Sequence, residues 1–558
     1  MEFIQNFGYF IVFIGSLVFF HELGHFLVAK FFDVKVLSFS LGFGPELFSF
    51  RRGETTYRVA LLPLGGYVKM VGELPGMDMD PEDLPRALTS KPLWQRTAVV
   101  AAGPIANFLL ALVVYFGMFF GAHTFADTKL GVVSVGDPAW SAGIRPGDKL
   151  LSINGKELEQ WSDVIKSVGS RPDEELIVEY ERGGTVYSTK IRARGEDGEN
   201  VYREKQRRGK IGILNFFIKP EVAILDEESP AYRAGVKSGD LITHVADVPV
   251  EAWHEVRQAL MKVPAGSALT IAVLRNNEAM TFTLSPDVQP PEMPVGLLSS
   301  ADMAGGYTGL VSREVVVNKL DEDTPAAHAG LRVGDRLVKV SMKSADGAFI
   351  ERPIGVWSTD LASFQGSDAR NEFTLRVQRG REFITTQVKL ASEELTDDFK
   401  NVRTRYIFGA FNDRTLFEPY RLEKDLGYGE ALMFAGRQVF QDMSLITEGM
   451  SKLATGVVPL ADLGGPIMLW VIAEKSARKS LHDYLRWLAV ISVNLGLLNL
   501  MPIPVLDGGH LLMFGIEAVR RRPPSAKVRE ISNLVGMVFL LFLMVIVFSN
   551  DIMRFIIP

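Results

Sequence analysis

Residues 16–28 read SLVFFHELGHFLV, and the reading of this stretch decides the architecture. Two histidines and a glutamate stand inside an apolar run that extends over about residues 7–32. A helix that crosses a bilayer needs about 20 such residues. A charged group deep in a span costs roughly 2.5–3.5 kcal/mol on insertion scales, so its presence there marks function. On a helix His21 and His25 fall on one face, and Glu22 reaches the same space. That spacing suits a zinc ion with two imidazole ligands and a carboxylate base for its water. Gly24 weakens the helix by about 1 kcal/mol relative to alanine, which points to close approach by another element. No basic residue precedes the run and no small-residue cleavage site follows it. It therefore reads as an uncleaved span rather than a signal peptide.

The 558 residues call for several domains. Apolar residues make up 47%, charged residues 23%, and mean hydropathy is +0.13. This mixture fits membrane spans joined to sizeable soluble domains. A net charge of −6 argues against nucleic acid as a partner. The absence of cysteine excludes disulfides and thiolate metal sites. Further apolar runs at about 97–121, 484–501 and 534–548 bring the expected spans to about four. Lys30, Lys35, Arg51, Arg52, Arg58, Lys69, Arg86, Lys91 and Arg96 lie between the first two spans. Arg520, Arg521, Arg522, Lys527 and Arg529 lie between the last two. The positive-inside rule places both loops in the cytoplasm, with the termini and residues 122–480 on the other face.

That long stretch repeats. DPAWSAGIRPGDKL begins at Asp137, SPAYRAGVKSGDLI at Ser229 and TPAAHAGLRVGDRL at Thr324. A period of roughly 90 residues means whole domains rather than solenoid units. Each copy predicts a short helix capped by Asp137, Ser229 or Thr324, with Pro138, Pro230 or Pro325 at its first position. Gly143, Gly235 or Gly330 ends it in a left-handed conformation, and a Gly-Asp turn and a strand follow. LTIAVLRNNEAMTFTL, with its central Asn-Asn, predicts a hairpin, and SPDVQPPEMP a Pro-rich linker. The three copies resemble PDZ domains of the bacterial, protease-associated form. The expected boundaries are 125–198, 210–287 and 305–392. Such modules capture extended peptide ends, peptide C-termini included, by strand addition. They serve equally as bulky domains that limit access to a membrane site.

A zinc hydrolase needs a third protein ligand and an open position for water. Among the eight histidines only His510 shares the depth of His21 and His25. It stands in NLMPIPVLDGGH, at the cytoplasmic end of the third expected span, where Asp507 is an equal candidate. HELGH in a first span followed by NLMPIPVLDGG in a late one resembles the site-two protease family of intramembrane zinc metalloproteases, in particular its bacterial branch that regulates sigma-E. LGFGPELFSF and LLPLGGYVKMVGE resemble that family's membrane-associated β loop, and AGPIANFLLA its second span.

The resemblance implies a polytopic α-helical membrane protein with about four transmembrane helices, a membrane-associated β loop and three tandem PDZ-like α+β domains. It makes 1–124 the first two spans with the HELGH motif, and 481–558 the last two with the LDG motif. It implies Zn2+ held by His21, His25 and Asp507, with Glu22 as the catalytic base. It assigns substrate contact or unwinding to Asn499, Pro502 and Pro504. It also implies pre-trimmed single-span membrane substrates, anti-sigma factors and leftover signal peptides among them, in a Gram-negative inner membrane. The family's better-known members have one or two PDZ domains, and the third copy here departs from that pattern.

The residues also carry a reading of their own. Unwound backbone in lipid leaves polar groups unsatisfied, each costing several kcal/mol. The β-rich TTYRVALLPLGGYVKM, with Gly65, Gly66 and Tyr67, is suited either to a strand edge that pairs with extended substrate or to a cytoplasmic hairpin with no substrate role. Asn499 bonds either that substrate or its own helix near Pro502. Asn107 reads as packing or an interhelical hydrogen bond. Residues 425–480 predict an amphipathic helix on the outer membrane surface, in contact with lipid, as a gate or as plain packing. A membrane-anchored PDZ scaffold or chaperone without turnover is the rival function.

Overall fold

The run around His21 forms one helix, α1 (Glu2–Phe31), in the computed structural model of the chain. The structure describes residues 2–73, 80–200, 204–264, 266–288, 306–343, 349–361, 372–396 and 402–555. Most of the Pro-rich linker lies outside them. The chain divides into two units: residues 1–123, 201–204 and 424–558 form one, and 124–200 with 205–423 the other.

In the first unit α1 is followed by two long strands, Val36–Arg52 and Thr55–Met70, and by α2 (Leu93–Phe119). After the repeats come α3 (Tyr428–Ala454), α4 (Pro466–Lys479), α5 (Leu481–Leu500), α6 (Asp507–Arg520) and α7 (Ala526–Phe555). Among the described residues three helices are long and apolar enough to cross a membrane, those at Gln5–Phe31, Leu93–Phe119 and Lys527–Phe555. The stretch expected as the third span lies on α5. That helix is shorter and more polar, with Asp483 and Arg486 near its start and Asn494 and Asn499 further on. The last expected span lengthens into the 30 residues of α7.

Small residues let α1 and α2 touch. A β-carbon at Gly24 would fall 2.7 Å from Ala106 Cβ and closer still to the Ala102 carbonyl. Phe13 and Leu17 of α1 pack with Leu110 of α2, Ala473 of α4 and Leu488 of α5. Tyr115 of α2 is buried and bonds Asp442 of α3 at 2.5 Å. Arg96 of α2 holds Glu517 of α6 through two nitrogens, at 2.6 and 3.2 Å.

The two long strands fold back on each other. Residues 66–70 pair with 36–41, whose other side faces 56–59, and 55–59 pair in turn with 48–52. Val36, Phe39, Val68 and Met70 pack on Ala29 and Val99. The far end instead exposes Phe43, Leu47, Phe48, Phe50, Leu61 and Leu62. Water disfavours such an apolar patch.

The second unit holds three four-stranded antiparallel sheets of one topology. Their long hairpins are Glu175–Arg182 with Thr185–Arg192, Leu269–Arg275 with Glu278–Leu284, and Glu372–Arg379 with Glu382–Lys389. Strand period 2 sets each core, as Leu176, Val178 and Tyr180 turn inward between exposed Glu175, Ile177 and Glu179. Asn276 and Asn277 make the predicted hairpin turn at φ 51° and 65°. Each copy is closed by a strand beyond the repeat itself. Ile213–Leu214 pairs with Val132–Val133, Val311–Ser312 with Val222–Ala223, and Ala410–Phe411 with Lys319–Leu320.

The repeated helices are single turns, Pro138–Ser141, Pro230–Arg233 and Pro325–His328. Gly143, Gly235 and Gly330 take φ of 80–97°, as the motif predicts. Only Ser229 accepts a capping bond with its side chain. Asp137 instead pairs with Arg194 at 2.9 Å, and Thr324 Oγ1 donates to the Asp321 carbonyl at 2.8 Å. The aspartate of each Gly-Asp turn has a structural use. Asp148, Asp240 and Asp335 are buried and bind Arg182, Arg275 and Arg379, which also donate to the carbonyls of Gly143, Gly235 and Gly330.

Candidate metal centre

His21 and His25 lie on the face of α1 turned toward α2 and the start of α6. Asp507 is the first residue of α6. The loop before it is tightly folded. Ile503 N donates to the Met501 carbonyl at 2.7 Å, and Gly508 and Gly509 pack on Leu500–Met501 and Ile503–Pro504 too closely for any side chain. Val505, a β-branched residue, is held at φ 81°, a conformation that costs of order 1–3 kcal/mol. The loop is further fixed by α7, where Gly536 fits against Pro504.

One ligand atom from each of His21, His25 and Asp507 lies within 4.8 Å of the others, the single such cluster among the described residues. His21 Nε2 is 3.3 Å from His25 Nε2 and 3.3 Å from Asp507 Oδ2, and His25 Nε2 is 3.5 Å from Asp507 Oδ2. Bonds of about 2.0–2.1 Å to a tetrahedral zinc ion place ligand atoms about 3.3–3.4 Å apart. The donor set also fits a cation. His25 Nδ1 lies 2.9 Å from the Val99 carbonyl, which accepts only from an N–H, so in the neutral ring the lone pair of Nε2 is turned to the cluster. Two imidazole nitrogens and a carboxylate oxygen that converge at this spacing fit a bound divalent metal. His510, the other candidate ligand, lies outside the cluster with its side chain exposed.

Glu22 is buried beside the histidines, and its charge is felt by His25, His21 and Asp507. The strand edge reaches the same place. A β-carbon on Gly66 would lie 2.9 Å from Glu22 Cγ and 2.7 Å from the Ser40 carbonyl. Gly65 has φ 130°, and Phe43 fills the space a side chain there would need. Tyr67 stacks on Phe43 at 6.1 Å, and its hydroxyl accepts from Arg58 at 3.1 Å. Among the described residues 66–70 has a ladder partner on one side only. Asn499 ends α5 with no hydrogen bond from its amide among the described residues. Pro502 lines a cavity of about 620 Å³ with Leu500, Gly508, Leu512 and Ile516.

Sequence reasoning gave Asn107 as packing or an interhelical hydrogen bond, and the bond is present, to His21; it missed Val99 and Gly103. Val99, Gly103 and Asn107 recur every four residues on α2 and face the two imidazoles. A β-carbon at Gly103 would lie 2.6 Å from His25 Cε1 and 2.8 Å from His21 Cε1. Asn107 is fully buried, with its amide 3.1 Å from His21 Nδ1. The signal was present in AGPIAN, as a glycine and an asparagine four apart in an apolar helix.

The sequence profile of peptidase family M50 matches residues 9–543. The regulator of sigma-E protease of Escherichia coli K12 is 28% identical over 560 residues, 99% of this chain and 100% of that protein. A protease of Yersinia pestis is 29% identical over 560 residues, with the same shares. A Neisseria meningitidis protein named as a zinc metalloprotease is 26% identical over 555 residues, 98% of each chain.

Proposed function

The chain belongs to peptidase family M50, and we propose that it cuts single-span membrane proteins within or near their spanning segment once their outer domains have been trimmed. It is a zinc metalloprotease of the intramembrane, site-two type. That excludes the rival reading of a scaffold without turnover. The observation that carries the proposal is the tetrahedral spacing of His21, His25 and Asp507 beside the buried carboxylate of Glu22.

In this reading His21, His25 and Asp507 would hold zinc, which would supply Lewis acidity to the scissile carbonyl and its attacking water. Glu22 takes the proton of that water and passes it to the leaving amine. The edge at 66–70 offers ladder partners to a substrate drawn out of its helix, which lowers the cost of unpaired backbone in lipid. Gly66 carries no side chain, so an extended chain can lie along the edge close to Glu22. Asn499, Pro502 and Pro504, on α5 and the loop that leads to Asp507, contact the unwound segment in this reading.

The protein sits in a bacterial inner membrane with α5 as a fourth span beside the three apolar helices. The basic loops put the metal centre near the cytoplasmic face and the termini and repeats in the periplasm. The three repeated sheets are PDZ-like modules that filter substrates or take peptide C-termini. Relatives named as regulators of sigma-E support anti-sigma factors as substrates, with signal-peptide remnants beside them. The test uses the full-length protein in lipid vesicles with a single-span substrate, with and without its outer domain. Zinc-dependent, chelator-sensitive cleavage of the trimmed form is expected. Cleavage that survives His21→Ala or Asp507→Ala removes the reading.

A further inference from the structure

His25 and His21 are held differently by α2. The backbone carbonyl of Val99 accepts from His25 Nδ1 and settles its tautomer. His21 has no carbonyl in that position. It faces the amide of Asn107, with Nδ2 3.1 Å from Nδ1, while Asn107 Oδ1 is buried without a hydrogen-bond partner. A buried acceptor left unpaired is costly. The arrangement suits a His21 that carries its proton on Nε2, which then points at Asp507. It does not suit a His21 that gives Nε2 to a metal, because Nδ1 must then carry the hydrogen and would face a second donor.

A half-turn of the amide about Cβ–Cγ exchanges its oxygen and nitrogen without changing its shape. The oxygen then accepts from Nδ1–H, and the orphaned acceptor is satisfied. We propose that Asn107 is a positioning residue of the metal centre: its side-chain oxygen accepts the Nδ1–H of His21 and holds the imidazole in the tautomer that leaves Nε2 free to ligate. The inference rests on the reading of His21 as a ligand. Three features prepare Asn107 for the task. It is fully buried, one turn beyond the glycine that admits both rings, and its backbone carbonyl accepts from Ser492 of α5 at 2.8 Å. The helix is thereby tied to α5 at this residue. Partners that orient a ligating imidazole typically contribute 10–100-fold in metal affinity.

The test is zinc affinity of the purified full-length protein in detergent, read by competition with a chromophoric chelator. Asn107→Leu keeps the volume and loses the acceptor, and is expected to bind zinc about 10–100-fold more weakly. Asn107→Asp keeps an oxygen at the same place and is expected to hold zinc close to the parent affinity. A leucine variant that does not fold is replaced by Asn107→Ser, too short to reach His21, with the same expectation. Parent affinity in the leucine or serine variant overturns the inference, as does equal loss in the aspartate and leucine variants. His21→Ala separates the two readings. If it loses zinc while Asn107→Leu keeps it, only the role of Asn107 falls. If it keeps zinc at parent affinity, the metal centre itself is misplaced and both readings fall.

Discussion

Gly66 stands directly against the side chain of Glu22, with room for a hydrogen but not for a methyl group. The edge strand and the carboxylate are therefore one mechanical assembly, and a change in either moves the other. Gly66→Ala should displace the strand or push the carboxylate off its position. We expect the turnover of a membrane substrate to fall at least about tenfold, on the scale by which small misplacements slow catalysis. Zinc content should be unchanged, because the new methyl group meets Glu22, Val18 and the Ser40 carbonyl and none of the three proposed ligands. Turnover and bound zinc, measured on the same preparation, check both halves of this prediction.

Glu22→Gln tests the carboxylate alone. The amide has the same shape and cannot accept a proton. Cleavage should drop by about 10²–10⁴-fold, the usual contribution of a general base, while zinc stoichiometry and thermal stability stay at the parent level. Substantial cleavage by this variant would remove Glu22 from its role.

Gly103→Ala tests the approach of α2 to the metal centre. The new methyl group would overlap the His25 ring, and the helix backbone offers it no other direction. Loss of zinc with retained helical content is the expected result, read by metal analysis and circular dichroism.

Much of the centre was legible in the sequence because two rules act on it locally. The helical period puts His21 and His25 on one face, and the cost of charge in an apolar run marks them as functional. Asp507 was one of two candidates on residue grounds, and only the resemblance favoured it. Asn107 was legible as a residue that packs or bonds between helices but not as a neighbour of His21, and Gly103 was not legible, since a polar or small residue in a span has many uses and the histidines that give these two theirs arrive from another helix. The repeats were legible as helix and turn. The failure of Asp137 and Thr324 to cap their helices was not, because Arg194 and the Asp321 carbonyl compete for those side chains. Glu314 and Asp551 gave no local sign at all.

Glu314, in the second unit, is fully buried and accepts from the backbone N–H groups of Trp357 and Ser358 and from Asn412. Burial pushes its pKa up to about 7, against those hydrogen bonds, which favour the ionised form. An unfolded glutamate titrates near 4.3, so between these values the native state binds the extra proton. Stability from this source is complete below about pH 4 and is lost as pH rises through 7. Glu314→Gln removes the titration. The parent protein should therefore lose stability relative to the variant between pH 5 and pH 8, as read from thermal unfolding followed by tryptophan fluorescence. A difference that does not change with pH would contradict the assignment.

Asp551 of α7 is fully buried and accepts from the backbone N–H groups of Gly465, Ile467 and Met468 at the start of α4. It thus caps a helix from a remote part of the chain. Asp551→Ala leaves these donors unpaired and should cost roughly 1–3 kcal/mol. Faster limited proteolysis between α3 and α4, with the metal centre intact, is the measurement that checks it.

The proposed ligands come from distant parts of the polypeptide, at residues 21 and 25 and at 507, with all three repeats between them. The last of them is made only after every repeat has been. During biosynthesis the growing chain carries its glutamate and both histidines through the translocon without the means to cut anything it meets there. On the proposed ligand set, the centre is complete only once α6 has joined α1.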